Sequence, residues 1–220
     1  MHTHISNIKA VRFDLDGTVA YTLPDLLRAI NKMRSSFSLL PIDGERLIQC
    51  INYGGRTMVS KALDDPDDSA FVDEAFNRYR DFYKKETVVD TVPYEGITEM
   101  LDSLRASGIK TALLTNKDNC FVSEIESKLF EGKFDIAMGY TDRFPHKPDP
   151  QSALYILKEL QVSPENALFV GDSPVDMKTA SGCKMNAAWV SWGYAGDYSM
   201  NEHPGAIRID HPAEITALIK

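Results

Sequence analysis

The length and composition of the 220-residue chain limit its domain count and the classes of protein to which it can belong. Hydrophobic residues make up 43% and charged residues 25%, which suits one domain, or one domain with a smaller insertion, and excludes wholesale disorder. The formal net charge is −8 and the chain has no basic run, so nucleic acid is not an expected partner.

Cysteine usage and the lengths of the apolar runs indicate a cytoplasmic protein. The three cysteines are far apart, odd in number and without metal-ligand spacing, as in a reducing compartment. The opening residues, MHTHISNIKAV, lack a cationic segment followed by an apolar signal core. Since no apolar run approaches the roughly 20 residues of a membrane span, we expect no membrane partner.

The chain begins with a strand and continues with a helical block. IKAVRFDLD predicts a strand because Val11 and Phe13 are apolar and β-prone. From Pro24 to about Glu86, apolar residues recur at helical spacing and no strand-like run interrupts them. The predicted helices are LPDLLRAINKMRSSFSLL, ERLIQCI, TMVSKAL and FVDEAFNRYRDFYKKE. This block predicts a helical insertion into another fold.

After TVPYEG, helices and strands alternate. Strands are predicted for IKTALLTN, FDIAMGY, NALFVGD, MNAAWVSWG and AIRID, and helices for ITEMLDSLRASG, FVSEIESKLF, DPQSALYILKEL, SPVDMKTASGC and PAEITALI. Such alternation implies right-handed crossovers and a parallel sheet with helices on both faces. The predicted fold class is therefore α/β, a doubly wound parallel sheet, which binds ligands beyond the carboxyl ends of its strands.

Four polar clusters follow strands of this predicted sheet. They are Asp14, Asp16 and Gly17; Thr115 and Asn116; Lys147; and Asp172 and Asp176. Taken singly, each is more often a turn, a helix cap or a solvated loop residue. All four in order, each after a strand or in the loop that follows one, favour a single site at one edge of the sheet.

The residue types predict metal-assisted phosphoryl chemistry. Asp14, Asp16 and Asp172 close together would repel each other, and a divalent cation removes that cost. All-oxygen ligation suits Mg²⁺ together with a phosphate. Lys147 can neutralise phosphate charge, Thr115 can bind phosphoryl oxygens, and Gly17 lets the backbone approach the phosphate closely. One carboxylate can attack phosphorus while a second, two residues on, acts as acid and then base.

These clusters resemble the motifs of the haloacid-dehalogenase superfamily of phosphatases. DLDGT, LLTN, the Lys147 loop and GDSPVDM are similar to its four motifs in order. The resemblance implies a Rossmann-like core, Asp14 as nucleophile, Asp16 as acid/base, and Thr115 and Asn116 as phosphate ligands. It also implies Mg²⁺ bound by the Asp14 side chain, the Asp16 backbone carbonyl and Asp172, with Asp176 bound or assisting.

The helical block is similar to the superfamily's inserted cap. The expected division is a core of residues 1–19 and 89–220 and a cap of residues 20–88 that closes over the site. YTLPDLLRAIN, YGGRTMVSKAL and TVPYEGITEML resemble phosphoglycolate phosphatases, whereas Ala20 stands where relatives commonly carry an aspartate. Arg56 is either a donor to a substrate carboxylate or a solvated arginine at a helix start.

The predicted function is a Mg²⁺-dependent phosphatase of a small phosphorylated metabolite, with phosphoglycolate as the leading substrate. Pyrophosphatase, nucleotide phosphatase, sugar phosphatase and phosphomutase activities remain open within the same superfamily. A phospho-acceptor signalling module and a non-catalytic binding protein are alternatives of another class. The inserted block and Asp16 argue against the first, and the intact carboxylate set argues against the second. A monomer or a homodimer is expected.

Overall fold

The computed structural model describes residues 5–64, 70–195, 203 and 205–219. The strands are β1 Ala10–Phe13, β2 Ala20–Tyr21, β3 Val92–Pro93, β4 Lys110–Asp118, β5 Ile136–Tyr140, β6 Ala167–Gly171, β7 Asn186–Val190 and β8 Ala206–Ile209. The α-helices are α1 Leu23–Ser35, α2 Gly44–Ile48, α3 Gly55–Ala62, α4 Ala70–Lys85, α5 Ile97–Ala106, α6 Asn119–Ile125, α7 Gln151–Leu160, α8 Pro174–Cys183 and α9 Pro212–Leu218. A π-helical turn, Glu126–Phe130, extends α6, and a 3₁₀ turn, Pro164–Asn166, precedes β6.

Six of these strands form one parallel sheet in the order β5-β4-β1-β6-β7-β8. The predicted fold class is therefore confirmed. The chain builds outward from β1 to β4 and β5, then returns to the other side of β1 for β6, β7 and β8. This reversal of strand order beside β1 is the switch point at which such sheets bind ligands.

Alternation along β1 sends side chains to two different cores. Val11 and Phe13 pack with α5, α6 and α9 on one face, while Ala10 packs with α7 and α8 on the other. Helix α5 fits its face because its buried residues, Ile97, Met100, Leu101 and Leu104, recur at helical spacing. Burial on both faces holds the central strands, and with them the strand ends, in place.

The helical block α1–α4 lies between residues 23 and 85 with its own apolar cluster. Leu26, Ile30 and Met33 on α1 face the α3 and α4 residues Val59 and Tyr79 in this cluster. The four helices match the predicted segments in order. The division into a cap of residues 20–88 and a core stays a prediction.

A short ribbon joins this block to the sheet, and the sequence patterns did not indicate it. Strands β2 and β3 pair antiparallel, with Ala20 opposite Pro93 and Tyr21 opposite Val92. Each is only two residues long, so no period-2 pattern could appear. The two chain crossings between sheet and helical block are therefore held side by side.

Candidate active site

Two aspartates lie at the ends of adjacent strands. Asp14 follows β1 and Asp172 follows β6, and the Asp14 amide donates to the Val170 carbonyl at 3.0 Å. Asp14, Asp172 and Asp176 each place a carboxylate oxygen within 4.8 Å of the others, and all three residues are buried. Parallel pairing thus brings together carboxylates that are more than 150 positions apart in the chain.

Lys147 bridges two of these carboxylates. Its Nζ donates to Asp14 Oδ1 and to Asp176 Oδ1, both at 2.7 Å, and its side chain is 3% exposed. Burial alone would lower the pKa of Lys147, but the two carboxylates raise it, so the amine is charged. This lysine therefore neutralises one of the three negative charges and fixes the separation of Asp14 and Asp176.

Asp172 is held by the backbone and side chains around it. Its Oδ1 accepts from the Thr18 hydroxyl at 3.0 Å, and its Oδ2 accepts from the Tyr194 amide at 2.7 Å. Gly17, at φ +82°, and Gly193 approach so closely that a Cβ on either would lie 2.4 Å or 2.5 Å from Asp172 Oδ2. Glycine is required at position 17, because any side chain there would displace the Asp172 carboxylate.

Asp176 has a second role at the start of α8. The Ser173 amide and hydroxyl both donate to its Oδ2, at 3.1 Å and 2.6 Å, in a capping box. With Oδ1 on Lys147, both of its oxygens are engaged. Asp176 therefore caps α8 and at the same time fixes the position of the Lys147 amine.

The raised pKa values of two carboxyl groups in this cluster indicate that it lacks positive charge. Burial raises the pKa of Asp14 to about 7, with Lys147 opposing the rise and Asp176 adding to it. Burial raises the pKa of Asp172 well above its usual range, and the neighbouring Asp176 and Asp14 carboxylates add to this. Asp14 and Asp172 can both ionise near neutral pH only if a further positive charge is bound beside them.

The donor set fits a hard divalent cation. It consists of carboxylate oxygens, which Mg²⁺ prefers when it also keeps waters and a phosphate. Gly17 and Gly193 have no side chain that would occupy the space beside Asp172 Oδ2. The residues present are therefore compatible with a metal of this kind.

Asp16 has a different set of partners. Lys117 Nζ lies 2.9 Å from Asp16 Oδ1, and the Thr22 hydroxyl donates a short hydrogen bond to the same oxygen. The Tyr194 phenol accepts from the Thr22 and Leu23 amides at 2.7 Å and 2.9 Å. The first turn of α1 is thereby anchored next to Asp16, and the two aspartates of the first cluster contact different lysines.

An irregularity in β4 brings three consecutive side chains to the site. The register with β5 shifts between Leu114 and Asp118, and Thr115, Asn116 and Lys117 all line the same cavity. A regular strand would send Asn116 to the opposite face. Asn116 donates to the Lys147 and Asn52 carbonyls at 2.9 Å and 2.8 Å and accepts from the Lys147 amide at 2.7 Å. Its amide thus orients the Lys147 loop.

The cavity lies between the sheet edge and the helical block. Polar side chains of the sheet side line its floor: Asp14, Asp16, Thr115, Asn116, Lys117 and Lys147. The opposite wall is mostly apolar, with Leu26, Ile51, Asn52, Met58 and Tyr79. A phosphate on the floor would leave the organic part of a substrate against this wall.

Most of the sequence-predicted residues meet here, and one does not. Arg56 at the start of α3 donates from Nε to Asp73 Oδ1 at 2.8 Å and does not line the cavity. The structure therefore does not bring Arg56 to the site, and its predicted role stays without support. Lys117 was missed, although it stands two residues after Thr115, which is the spacing of one strand face.

A family model described as haloacid dehalogenase-like hydrolase matches residues 11–190. The chain belongs to this family. The match spans β1 through β7 and so includes every residue of the carboxylate cluster.

Curated relatives of this hydrolase are named as phosphatases. N-acetylmuramic acid 6-phosphate phosphatase of Pseudomonas aeruginosa is 31% identical over 210 residues, covering 94% of this chain and 93% of the relative. Phosphoglycolate phosphatase 1 of the same organism is 31% identical over 209 residues, covering 92% and 76%. The chain is thus a hydrolase of phosphomonoesters.

Solved structures agree with this hydrolase in fold. A Lactobacillus delbrueckii subsp. bulgaricus protein, provisionally assigned as a phosphoglycolate phosphatase, has a TM-score of 0.89 at 25% identity, covering 97% of this chain and 99% of its own. A Haemophilus somnus protein has a TM-score of 0.88 at 24% identity, covering 96% and 98%. None of the helices in the described ranges of this hydrolase is long and apolar enough to span a membrane.

The raised pKa of Asp14 predicts a pH-dependent stability in the absence of metal. A carboxyl group with a raised folded pKa keeps its proton when folded and releases it on unfolding, so stability falls as pH rises towards that pKa. Relative to Asp14→Asn, the wild type in chelator should lose about 1 kcal/mol of unfolding free energy per pH unit between about pH 5 and 7, and no more above it.

Urea unfolding at several pH values measures this difference. Asp102→Asn, which changes an exposed carboxylate on α5, should give the same pH dependence as the wild type. A constant difference between wild type and Asp14→Asn across this range would show that Asp14 is ionised throughout.

Proposed function

We propose that this chain is a Mg²⁺-dependent phosphatase that hydrolyses a small phosphomonoester through an aspartyl phosphate on Asp14. One observation carries the proposal. Three buried carboxylates meet within 4.8 Å at the ends of β1 and β6, and Lys147 bonds to two of them beside the cavity. Burying three carboxylates together costs desolvation free energy and makes them repel each other. A bound cation removes that repulsion, and a phosphate bound to the cation and Lys147 gives the arrangement a use.

The metal would be held by the Asp14 side chain, the Asp16 backbone carbonyl and Asp172. A bound Mg²⁺ supplies charge stabilisation for the phosphoryl oxygens and lets the neighbouring carboxylates ionise. Asp176 is assigned to Lys147 and the α8 cap, because its Oδ1 accepts from the charged Lys147 amine and its Oδ2 from Ser173. Asp172 is kept as a ligand because its hydrogen bonds come from neutral groups, the Thr18 hydroxyl and the Tyr194 amide.

In the first half of the reaction, an Asp14 carboxylate oxygen attacks phosphorus and the bond to the substrate's alkoxide oxygen breaks. Asp16 donates a proton to that leaving oxygen. Lys147 and the Thr115 hydroxyl balance the charge on the phosphoryl group. The products of this half are the free alcohol and an acyl phosphate on Asp14.

In the second half, a water molecule attacks phosphorus of the acyl phosphate. Asp16, now ionised, takes the proton from that water. The Asp14 carboxylate leaves, and inorganic phosphate is released. The separate partners of the two aspartates support this division of roles, since Asp14 contacts Lys147 whereas Asp16 contacts Lys117 and Thr22.

We further propose that residues 20–88 form a cap over a core of residues 1–19 and 89–220. The cavity has one wall from each part, so the cap would both exclude water and select the substrate. The β2–β3 ribbon, at the two crossings, is the place for a hinge.

Phosphoglycolate is the leading substrate. Several curated relatives carry that name, including one of Pseudomonas putida at 32% identity over 192 residues. A larger sugar phosphate is the second candidate, because a relative that matches over nearly the whole chain is named for N-acetylmuramic acid 6-phosphate.

Labelling tests the nucleophile. Asp14→Asn should abolish phosphate release while keeping the fold, because an amide is a poor nucleophile. Wild type quenched in acid after brief exposure to ³²P-labelled substrate should carry the label on the peptide that contains Asp14. Label recovered on any other residue would contradict the assignment, and far-ultraviolet circular dichroism checks the fold of the variant.

Chelation tests the metal. Exhaustive removal of divalent cations should abolish activity, added Mg²⁺ should restore it, and Ca²⁺ should support little, because its larger and looser ligand shell misplaces the reacting groups. Asp172→Ala should raise the Mg²⁺ concentration required or abolish activity. Full activity in chelator would rule out a metal-dependent reaction.

A substrate panel separates the candidates. Phosphate release with Mg²⁺, ranked by kcat/KM, should place phosphoglycolate above N-acetylmuramic acid 6-phosphate, pyrophosphate, nucleotides and simple sugar phosphates. The reverse order for the first two would assign the chain to the second candidate.

A further inference from the structure

Lys117 is a buried cation that the proposed reaction steps do not use. It lies near the end of β4, is 8% exposed and lines the cavity. Its Nζ lies 2.9 Å from Asp16 Oδ1 and 4.9 Å from the centre of the Tyr83 ring on α4. The amine is therefore enclosed between the general acid and the helical block.

Burying a lysine at this place costs desolvation free energy that its contacts must offset. An ammonium has three N–H donors, and desolvating it is expensive unless they find partners. Asp16 forms an ion pair with the amine, and the centre of the Tyr83 ring lies 4.9 Å from it. Lys117 also lines the cavity, whose opposite wall is mostly apolar, and a charge pair is strong in such surroundings.

Within the described part of the cavity lining, Lys117 and Lys147 are the only cations. Lys147 bonds to Asp14 and Asp176, so it belongs to the phosphate end. Arg56 bonds to Asp73 and does not line the cavity. A second anionic group on a substrate would therefore meet Lys117 first.

We infer that Lys117 is the specificity-determining residue that binds a carboxylate on the substrate, next to the scissile phosphate. This inference rests on the proposed function, since it assumes that the phosphate lies at Asp14. The substrate class is a small phosphomonoester with a carboxylate near its ester oxygen. Phosphoglycolate, for which a relative is named, has this arrangement, because its carboxylate and its ester oxygen are on the same carbon. In N-acetylmuramic acid 6-phosphate, the name of another relative, the carboxylate is on the lactyl ether at C3, remote from the phosphate on C6, so Lys117 in this role favours the first compound.

Two matched pairs of compounds test the inference. Phosphoglycolate and ethyl phosphate have the same two carbons, but only the first has a carboxylate, and both can be hydrolysed. Phosphonopropionate and propylphosphonate repeat this difference in compounds that cannot be hydrolysed. The second pair measures binding, as competitive inhibition constants, without requiring Asp16 to transfer a proton.

Lys117→Gln is the main variant because glutamine keeps a donor for Asp16 but has no charge. Its kcat/KM for phosphoglycolate should fall at least about 30-fold relative to that for ethyl phosphate, the low end for loss of a buried charge pair. Its inhibition constant for phosphonopropionate should rise while that for propylphosphonate stays the same. Lys117→Arg keeps the charge and should retain part of the selectivity. This variant still tests the inference if Lys117→Gln folds poorly.

Thr22→Val is the matched control, because it removes the other donor to the same Asp16 oxygen. It should lower turnover of phosphoglycolate and ethyl phosphate equally and leave their ratio unchanged. If Lys117→Gln behaves like Thr22→Val, with equal losses and unchanged phosphonate binding, Lys117 only positions Asp16 and the inference is wrong.

The wild type separates this inference from the proposed function. If it hydrolyses both phosphates equally well and binds both phosphonates equally, Lys117 does not select a carboxylate, yet the phosphatase proposal stands. If it releases phosphate from neither of these compounds nor from any member of the substrate panel in Mg²⁺, the proposed function fails and the inference fails with it.

Discussion

Repulsion among three buried carboxylates is the constraint on which the rest of this site depends. Asp14 and Asp172 are forced together because β1 and β6 are neighbours in the sheet, and Asp176 joins them from the first turn of α8. Lys147 removes part of the repulsion by bonding to two of the three. Its loop is in turn held by Asn116, whose amide bonds to both backbone groups of Lys147. The third polar cluster is thus positioned by the second.

Positive charge also lies beneath the site. Arg12, two residues before Asp14, is buried on β1 with its guanidinium 3.9 Å from the centre of the Phe169 ring. In the described ranges its nitrogens have no hydrogen-bond partner. Burial lowers its pKa to about 10, while the Cys183, Asp176 and Asp14 side chains favour the charged form. A group that remains cationic here partly offsets the carboxylates above it through a low-dielectric interior.

Much of this arrangement could be predicted because it follows strand order. Alternating helices and strands predict a parallel sheet, and residues after its strands must meet at one edge. The sheet order then brings Asp14, Asp172 and the Lys147 loop together as expected. What the patterns could not supply depends on contacts distant in sequence. Tyr194 is 22 residues from its partner Asp172, and no periodicity links them.

Local irregularities account for the other differences. In a regular β4, Asn116 would face away from Thr115, and only the register shift near the end of the strand turns both towards the cavity. In the sequence, Lys117 cannot be distinguished from a solvated lysine just after a strand. Only the structure shows that β4 continues to Asp118 and so includes Lys117. Arg56 follows two glycines at a helix start, which suits a substrate ligand, but Asp73 on α4 is a nearer partner. Composition cannot rank such competing partners.

One group of contacts between the sheet and the helical block lies at the proposed acid/base, Asp16. Asp16 forms an ion pair with Lys117 of β4 and accepts a hydrogen bond from Thr22, whose amide donates to the Tyr194 phenol at the start of α1. Asp25, on the same helix, accepts from the amides of residues 89–91, so α1 is also tied to the second crossing. A displacement of α1 would therefore move Thr22 away from Asp16 while leaving Asp14, Asp172 and Lys147 on the sheet. If the proposed cap closes, it would thus complete the proposed proton-transfer group beside the carboxylate cluster of the sheet.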